Sequence, residues 1–160
     1  MKIKSLLLPL LATSFCFGLV GCTDDTSSSN PVVGATSILV INEKNFDKYF
    51  EITINKLAVS EEQPNDYSFN VRAKNKNMNR IYVYTETKAT INVTCIYKLE
   101  PNTNTAHSKS QAVDLTLKNR QDAVKSDNYT ITFDQPISEY PYFGTSYRVT
   151  SASGKLMKQN

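Results

Sequence analysis

The sequence predicts an all-β fold: a single two-sheet sandwich with an immunoglobulin-like outline. Three observations carry this expectation. From about Ala35 onward apolar residues recur at every second position, not at the third and fourth. The apolar segments are short and are separated by clusters of Asn, Asp, Pro, Ser and Thr, at a spacing of roughly 10–15 residues, which points to an all-β domain. No strand–helix alternation of the kind a doubly wound sheet requires is present. Seven or eight strands and one short helical turn are expected, with a small β-barrel as the alternative.

The elements follow in order. "TSILVIN" (36–42) is a β-branched run and the first strand. "NEKNFDKYF" (42–50) breaks the alternation: Phe46, Tyr49 and Phe50 stand at helical spacing, and Asn42 is placed to cap a short turn. "FEITINKLAV" (50–59) resumes period two, and "EEQPND" (61–66) is a loop. "YSFNVRAK" (67–74) points Phe69, Val71 and Ala73 inward, "NKNMN" (75–79) turns, and "RIYVYTE" (80–86) is a further strand. Residues 89–99 form the clearest strand, with Ala89, Ile91, Val93, Cys95, Tyr97 and Leu99 on one face. A polar loop is expected over 100–111, strands at 112–118, 128–134 and 145–152, and a turn at Ser153-Gly154 before a short tail.

Residues 1–21 read differently. Lys2 and Lys4 open the segment, a mostly apolar run extends from Leu6 to Val20, and small residues precede Cys22. The run contains Pro9 and is shorter than the roughly 20 residues a spanning helix needs, so it reads as a cleaved secretory signal. Thr23 to Asn30 is entirely Thr, Asp, Ser and Asn, which cannot bury enough apolar surface to fold. The expected organisation is therefore a signal at 1–21, a flexible tether at 22–35 and a β-sandwich domain at 36–160.

Leu19-Val20-Gly21-Cys22 resembles the lipobox of bacterial lipoproteins. The resemblance implies that the chain is cut before Cys22, that the Cys22 sulfur carries a diacylglyceryl group, and that the protein sits lipid-anchored on the extracytoplasmic face of the cell membrane. Two acyl chains suffice for stable anchoring where one does not. Over residues 67–154 the order of strands is also similar to the small FxLYD-type β-sandwich domains of bacterial lipoproteins, although the FxLYD motif itself is absent. That likeness implies a fold and attachment at the envelope, and no chemistry.

The 18 basic and 15 acidic residues leave a formal charge of +3. Without Lys2 and Lys4 the balance is 16 against 15, a net of +1. So even a balance argues against a nucleic-acid partner, which demands a dense basic face. Once Cys16 leaves with the signal and Cys22 is acylated, Cys95 is alone, and its place on an apolar face makes it a small buried hydrophobe. His107 is the only histidine and lies in a polar segment with no orienting partner. No phosphate-binding Gly loop, metal-ligand spacing or nucleophile elbow is found. The expectation is a non-enzymatic protein without cofactor or metal, which binds a ligand, a protein or a glycan at the envelope. The alternatives are a structural or accessory subunit of an envelope complex and, behind it, a wall-polymer hydrolase.

Two surface features carry the binding expectation. Arg72, Lys74, Lys76 and Arg80 form a basic hairpin tip, suited either to anionic lipid or polymer or to guarding a sheet edge against pairing. Tyr140, Tyr142 and Phe143 surround Pro141, suited either to partner contact or to plugging the end of the sandwich.

Overall fold

The computed structural model describes residues 36–159; the signal, Cys22 and the tether lie outside the described residues. The elements are β1 (Thr36–Ile41), α1 (Phe46–Tyr49), β2 (Phe50–Lys56), β3 (Asp66–Asn75), β4 (Ile81–Val83), β5 (Thr87–Lys98), β6 (His107–Leu117), β7 (Ala123–Lys125), β8 (Tyr129–Thr132) and β9 (Tyr142–Gln159), with a 3-10 turn at Ile137–Glu139. They form two antiparallel sheets packed together, the expected all-β sandwich. Nine strands are present among the described residues, against the seven or eight expected. The addition is β7, whose three residues are too few to show a period.

The first sheet runs β1-β9-β5-β6, and β4 also pairs with β9. β9 is its spine. Tyr142 to Ser153 pair with β5 from Lys98 back to Lys88. The last six residues pair with β1, from Ile41 opposite Gly154 to Thr36 opposite Gln159. On their other side Leu156 to Lys158 pair with β4. The second sheet is built on β3, with β2 along one side and β7 and β8 sharing the other.

Alternation makes the core. β5 buries Thr87, Ala89, Ile91, Val93, Cys95 and Tyr97, and β3 buries Tyr67, Phe69, Val71 and Ala73. All of these except the polar Thr87 join Val113, Leu115 and Leu117 of β6 and Leu156 of β9 in one apolar cluster. α1 is pinned to that cluster by Phe46 and Phe50, whose rings stack at 4.6 Å. Asn42 does not cap the helix itself. Its Oδ1 accepts the Lys44 and Asn45 amides at 3.0 and 3.2 Å, and so closes the turn that precedes the helix.

β2, β4 and β8 are shorter than expected, and the largest differences in bounds are in β6 and β9. β6 begins at His107, inside the expected polar loop, because Ser108, Ser110 and their neighbours pair with β5 while facing away from the core. β9 starts at Tyr142 and continues through Ser153-Gly154 to Gln159. The reason is a β-bulge: Ile91 pairs with Val149 and Thr90 with Ser151, leaving Thr150 unpaired. One extra residue reverses which parity faces inward. Thus Val149 and Leu156 are both buried although one is odd and the other even, and the period-two signal is lost across the bulge.

Gly154 is what lets β9 pass β5 closely. Its φ is +140°, and a Cβ there would lie 2.3 Å from Thr87 Oγ1 and 2.7 Å from Thr87 Cα. Backbone cannot yield as a side chain can. Gly154→Ala is therefore expected to cost about 2–3 kcal/mol, a fall of about 10 °C in Tm for a domain of this size. Gly144→Ala, where the new methyl would meet only the Tyr142 ring end at 3.2 Å, serves as the control and is expected to stay within about 1 kcal/mol. Thermal melts of both variants check this.

Candidate functional site

The sandwich has two ends, defined by β9. At the distal end Tyr142 opens β9 opposite Lys98. At the proximal end Gln159 closes it opposite Thr36, where the described chain begins. The 18 residues of β9 run between them as extended strand, at a rise of about 3.3 Å per residue, so the ends are distinct surfaces.

At the distal end the structure separates the three aromatics named from the sequence. Tyr140 is buried, 4.8 Å from the Tyr97 ring and 5.6 Å from Phe133. Phe143 is half-buried at 5.3 Å from Tyr67 and 5.6 Å from Phe133. Both plug the core. Tyr142, on the other face of the strand, is 52% exposed among the described residues. The Tyr140 hydroxyl is buried without a hydrogen-bond partner among the described residues, a state that costs about 1–3 kcal/mol.

The basic residues do not form one patch. Arg72 and Lys74 lie on the exposed face of β3, Arg72 between Thr53 and Lys125 and Lys74 opposite Glu51. Lys76 bends back to donate to the Asp47 carbonyl. Lys74 and Lys76 share a shallow groove of about 390 Å³ with Glu51 and Asp122, so carboxylates offset their charge. Arg80 stands apart, in a second groove of about 510 Å³ with Asn79, Lys158 and Gln159 at the proximal end.

Cys95 is fully buried, and burial raises its thiol pKa to about 11. Its neighbour across the ladder is Lys109, whereas His107 lies opposite Tyr97 and stacks on that ring at 5.7 Å. The two are not brought together as nucleophile and base. Among the described residues no group of three His, Cys, Asp or Glu is placed to hold a metal ion, and no helix is long and apolar enough to cross a membrane.

Sequence reasoning missed one surface, on the outer face of the first sheet at its proximal end. Pairing across β1, β9 and β4 lines up Ile38, Met157 and Tyr82 in one row. In the next row stand Val40, Lys155 and Tyr84, whose amide bonds the Lys155 carbonyl. Ile38 is 53% exposed, Val40 63% and Tyr84 42%. They account for three of the seven exposed large apolar side chains among the described residues, so this is a patch and not scatter. The Arg120 guanidinium lies 4.7 Å over the Tyr82 ring, and the Tyr82 hydroxyl donates to Met157 Sδ at 2.8 Å. The available signal was the alternation in "SILV" and "YVY" (37–40 and 82–84). It joins into a surface only once 155–159 is known to be strand.

Comparison with known proteins gives no match: no family model, no curated protein and no solved structure matches this chain.

Four variants test this geometry. Tyr142→Ala is expected to change stability by less than about 1 kcal/mol, whereas Tyr140→Ala costs about 3–5 kcal/mol. Tyr140→Phe, which removes an unpartnered hydroxyl, leaves Tm unchanged or raises it; melting curves separate the three. For Cys95 the folded pKa lies above the ordinary value of 9.0, so its contribution to stability is complete below about pH 9 and is lost as pH rises towards about 11. Denaturant titrations across that window are expected to show a shallower alkaline decline in Cys95→Ala than in the parent.

Proposed function

We propose that this protein is a lipid-anchored envelope lipoprotein whose β-sandwich is a non-catalytic binding module for a ligand or protein partner. The observation that carries the reading is Leu19-Val20-Gly21-Cys22 after a basic, apolar leader and before an uncharged-to-acidic polar spacer. A tether of the length of residues 22–35 spans on the order of 20 Å, enough to hold a domain beside the headgroups without pressing it into them. Anchoring there leaves the distal end, with exposed Tyr142 and the loops on either side of it, available for contact. An exposed tyrosine held by a rigid strand is an economical contact residue, because little side-chain freedom remains to be lost.

A second reading, an accessory subunit packed on another envelope protein, is favoured by the proximal apolar face. An interface there would bury Ile38, Val40 and Tyr84 together.

The anchor is tested by expressing the full chain and its Cys22→Ser variant with a fatty-acid analogue. Labelled, shortened parent is expected, alongside unlabelled, uncleaved variant. Label retained by Cys22→Ser contradicts the lipoprotein reading.

A further inference from the structure

We propose that the proximal outer face of the first sheet lies on an anionic bilayer surface, so that the domain is oriented on the membrane and not merely tethered to it. The inference rests on the anchored reading for its biological setting, while the surface that carries it belongs to the folded domain alone. Three observations meet there. The described chain begins at Thr36, the first residue of β1, so the segment leading to Cys22 joins the domain at the margin of this face. The rows themselves combine exposed aliphatics and tyrosines with Lys155 and the stacked Arg120, and hold no carboxylate. Arg80 and Lys158 add positive charge at the adjoining edge. The distal end is mixed in charge: Glu61, Glu62, Asp66, Glu100 and Glu139 lie in or beside its loops and turns, together with Lys98 and Lys109.

The chemistry matches a headgroup layer. Tyrosine suits the boundary between acyl chain and water, because one end of the ring is apolar and the other polar. Lys155 lies between Val40 and Tyr84. Its methylene stem can lie along them while the ammonium reaches phosphate. Cations close to an anionic surface add attraction of about 1 kcal/mol each. Among the described residues β1 pairs on one side only, and it contains neither Lys nor Pro nor a bulge, the devices that normally protect an exposed edge. A membrane against this face would shield it from other chains.

The compact unit Val32–Asn160 contains both sheets and the whole core, so it serves as the test protein and lacks Cys22. Its co-sedimentation is measured with phosphatidylcholine vesicles, with and without one-third phosphatidylglycerol, at low and high salt. The expected result is binding only to the anionic vesicles, weakened by salt. Replacing Lys155 by Ala and Arg120 by Asn, which tolerates the left-handed backbone at that residue (φ 59°), is expected to lower affinity about thirtyfold. Val40→Glu is expected to lower it further with Tm unchanged, since that side chain is exposed. Equal binding to neutral vesicles, or binding unaffected by these variants, overturns the proposal. So does a concentration-dependent dimer that Val40→Glu dissociates while vesicle binding stays absent; the face then belongs to a second copy. Because acylation is absent from this unit, failure here leaves the Cys22 labelling result standing, and failure of labelling leaves this one standing.

Discussion

The first sheet of this sandwich depends on one strand being allowed to continue. β9 pairs with β5 over its first two-thirds and then, past a bulge at Thr150, with β1 and β4 on its two sides. Without its last third the chain's first strand and β4 would have no partner among the described residues, and Leu39, Ile41 and Val83 would lose the wall they pack on. Continuity rests on a local condition. β9 must pass Thr87 with no side chain at Gly154, in a backbone conformation that only glycine adopts freely.

That continuity also gives the domain its polarity. The distal end is closed by rings from three segments: Tyr97 from β5, Phe133 and Tyr140 from the segment after β8, and Phe143 from β9. Edge-to-face and tilted contacts of this kind add modestly to the apolar area they bury. The proximal end is finished instead by short strands and a turn, with Asn75 holding the β3–β4 connection through the Ile81 carbonyl at 2.7 Å and the Asn77 amide at 2.9 Å. A closed aromatic end with one ring left outside, and an open end with apolar and cationic side chains outside, are different invitations to the surroundings.

The fold class was legible because burial on one face of a strand imposes period two, and the apolar residues of β3, β5 and β8 follow it at Tyr67, Phe69, Ile91, Val93 and Ile131, with buried Asn70 the one polar interruption in β3. The short turn at Phe46 was legible for the corresponding reason at helical spacing. What escaped was long-range. The bulge at Thr150 interrupts the alternation that would have announced the end of β9, and Ser-Gly reads locally as a turn although Gly154 is there to avoid Thr87, far away in sequence. The distal aromatics were legible as a group but not as individuals: which of Tyr140, Tyr142 and Phe143 faces water is decided by where the strand begins. The basic hairpin tip was legible as composition, yet Glu51 and Asp122 reach its groove from other strands and loops.

Native-state amide hydrogen exchange, resolved along β9, measures this dependence most directly. Amides over the pairing with β5 and those over the pairing with β1 and β4 are expected to exchange with the same free energy, near that of global unfolding, because one continuous strand carries both. If the residues from Lys155 onward, together with β1 and β4, instead open at a distinctly lower free energy while the pairing with β5 stays protected, the proximal end is a separate unit. The continuity of β9 is then not the constraint on which the first sheet depends.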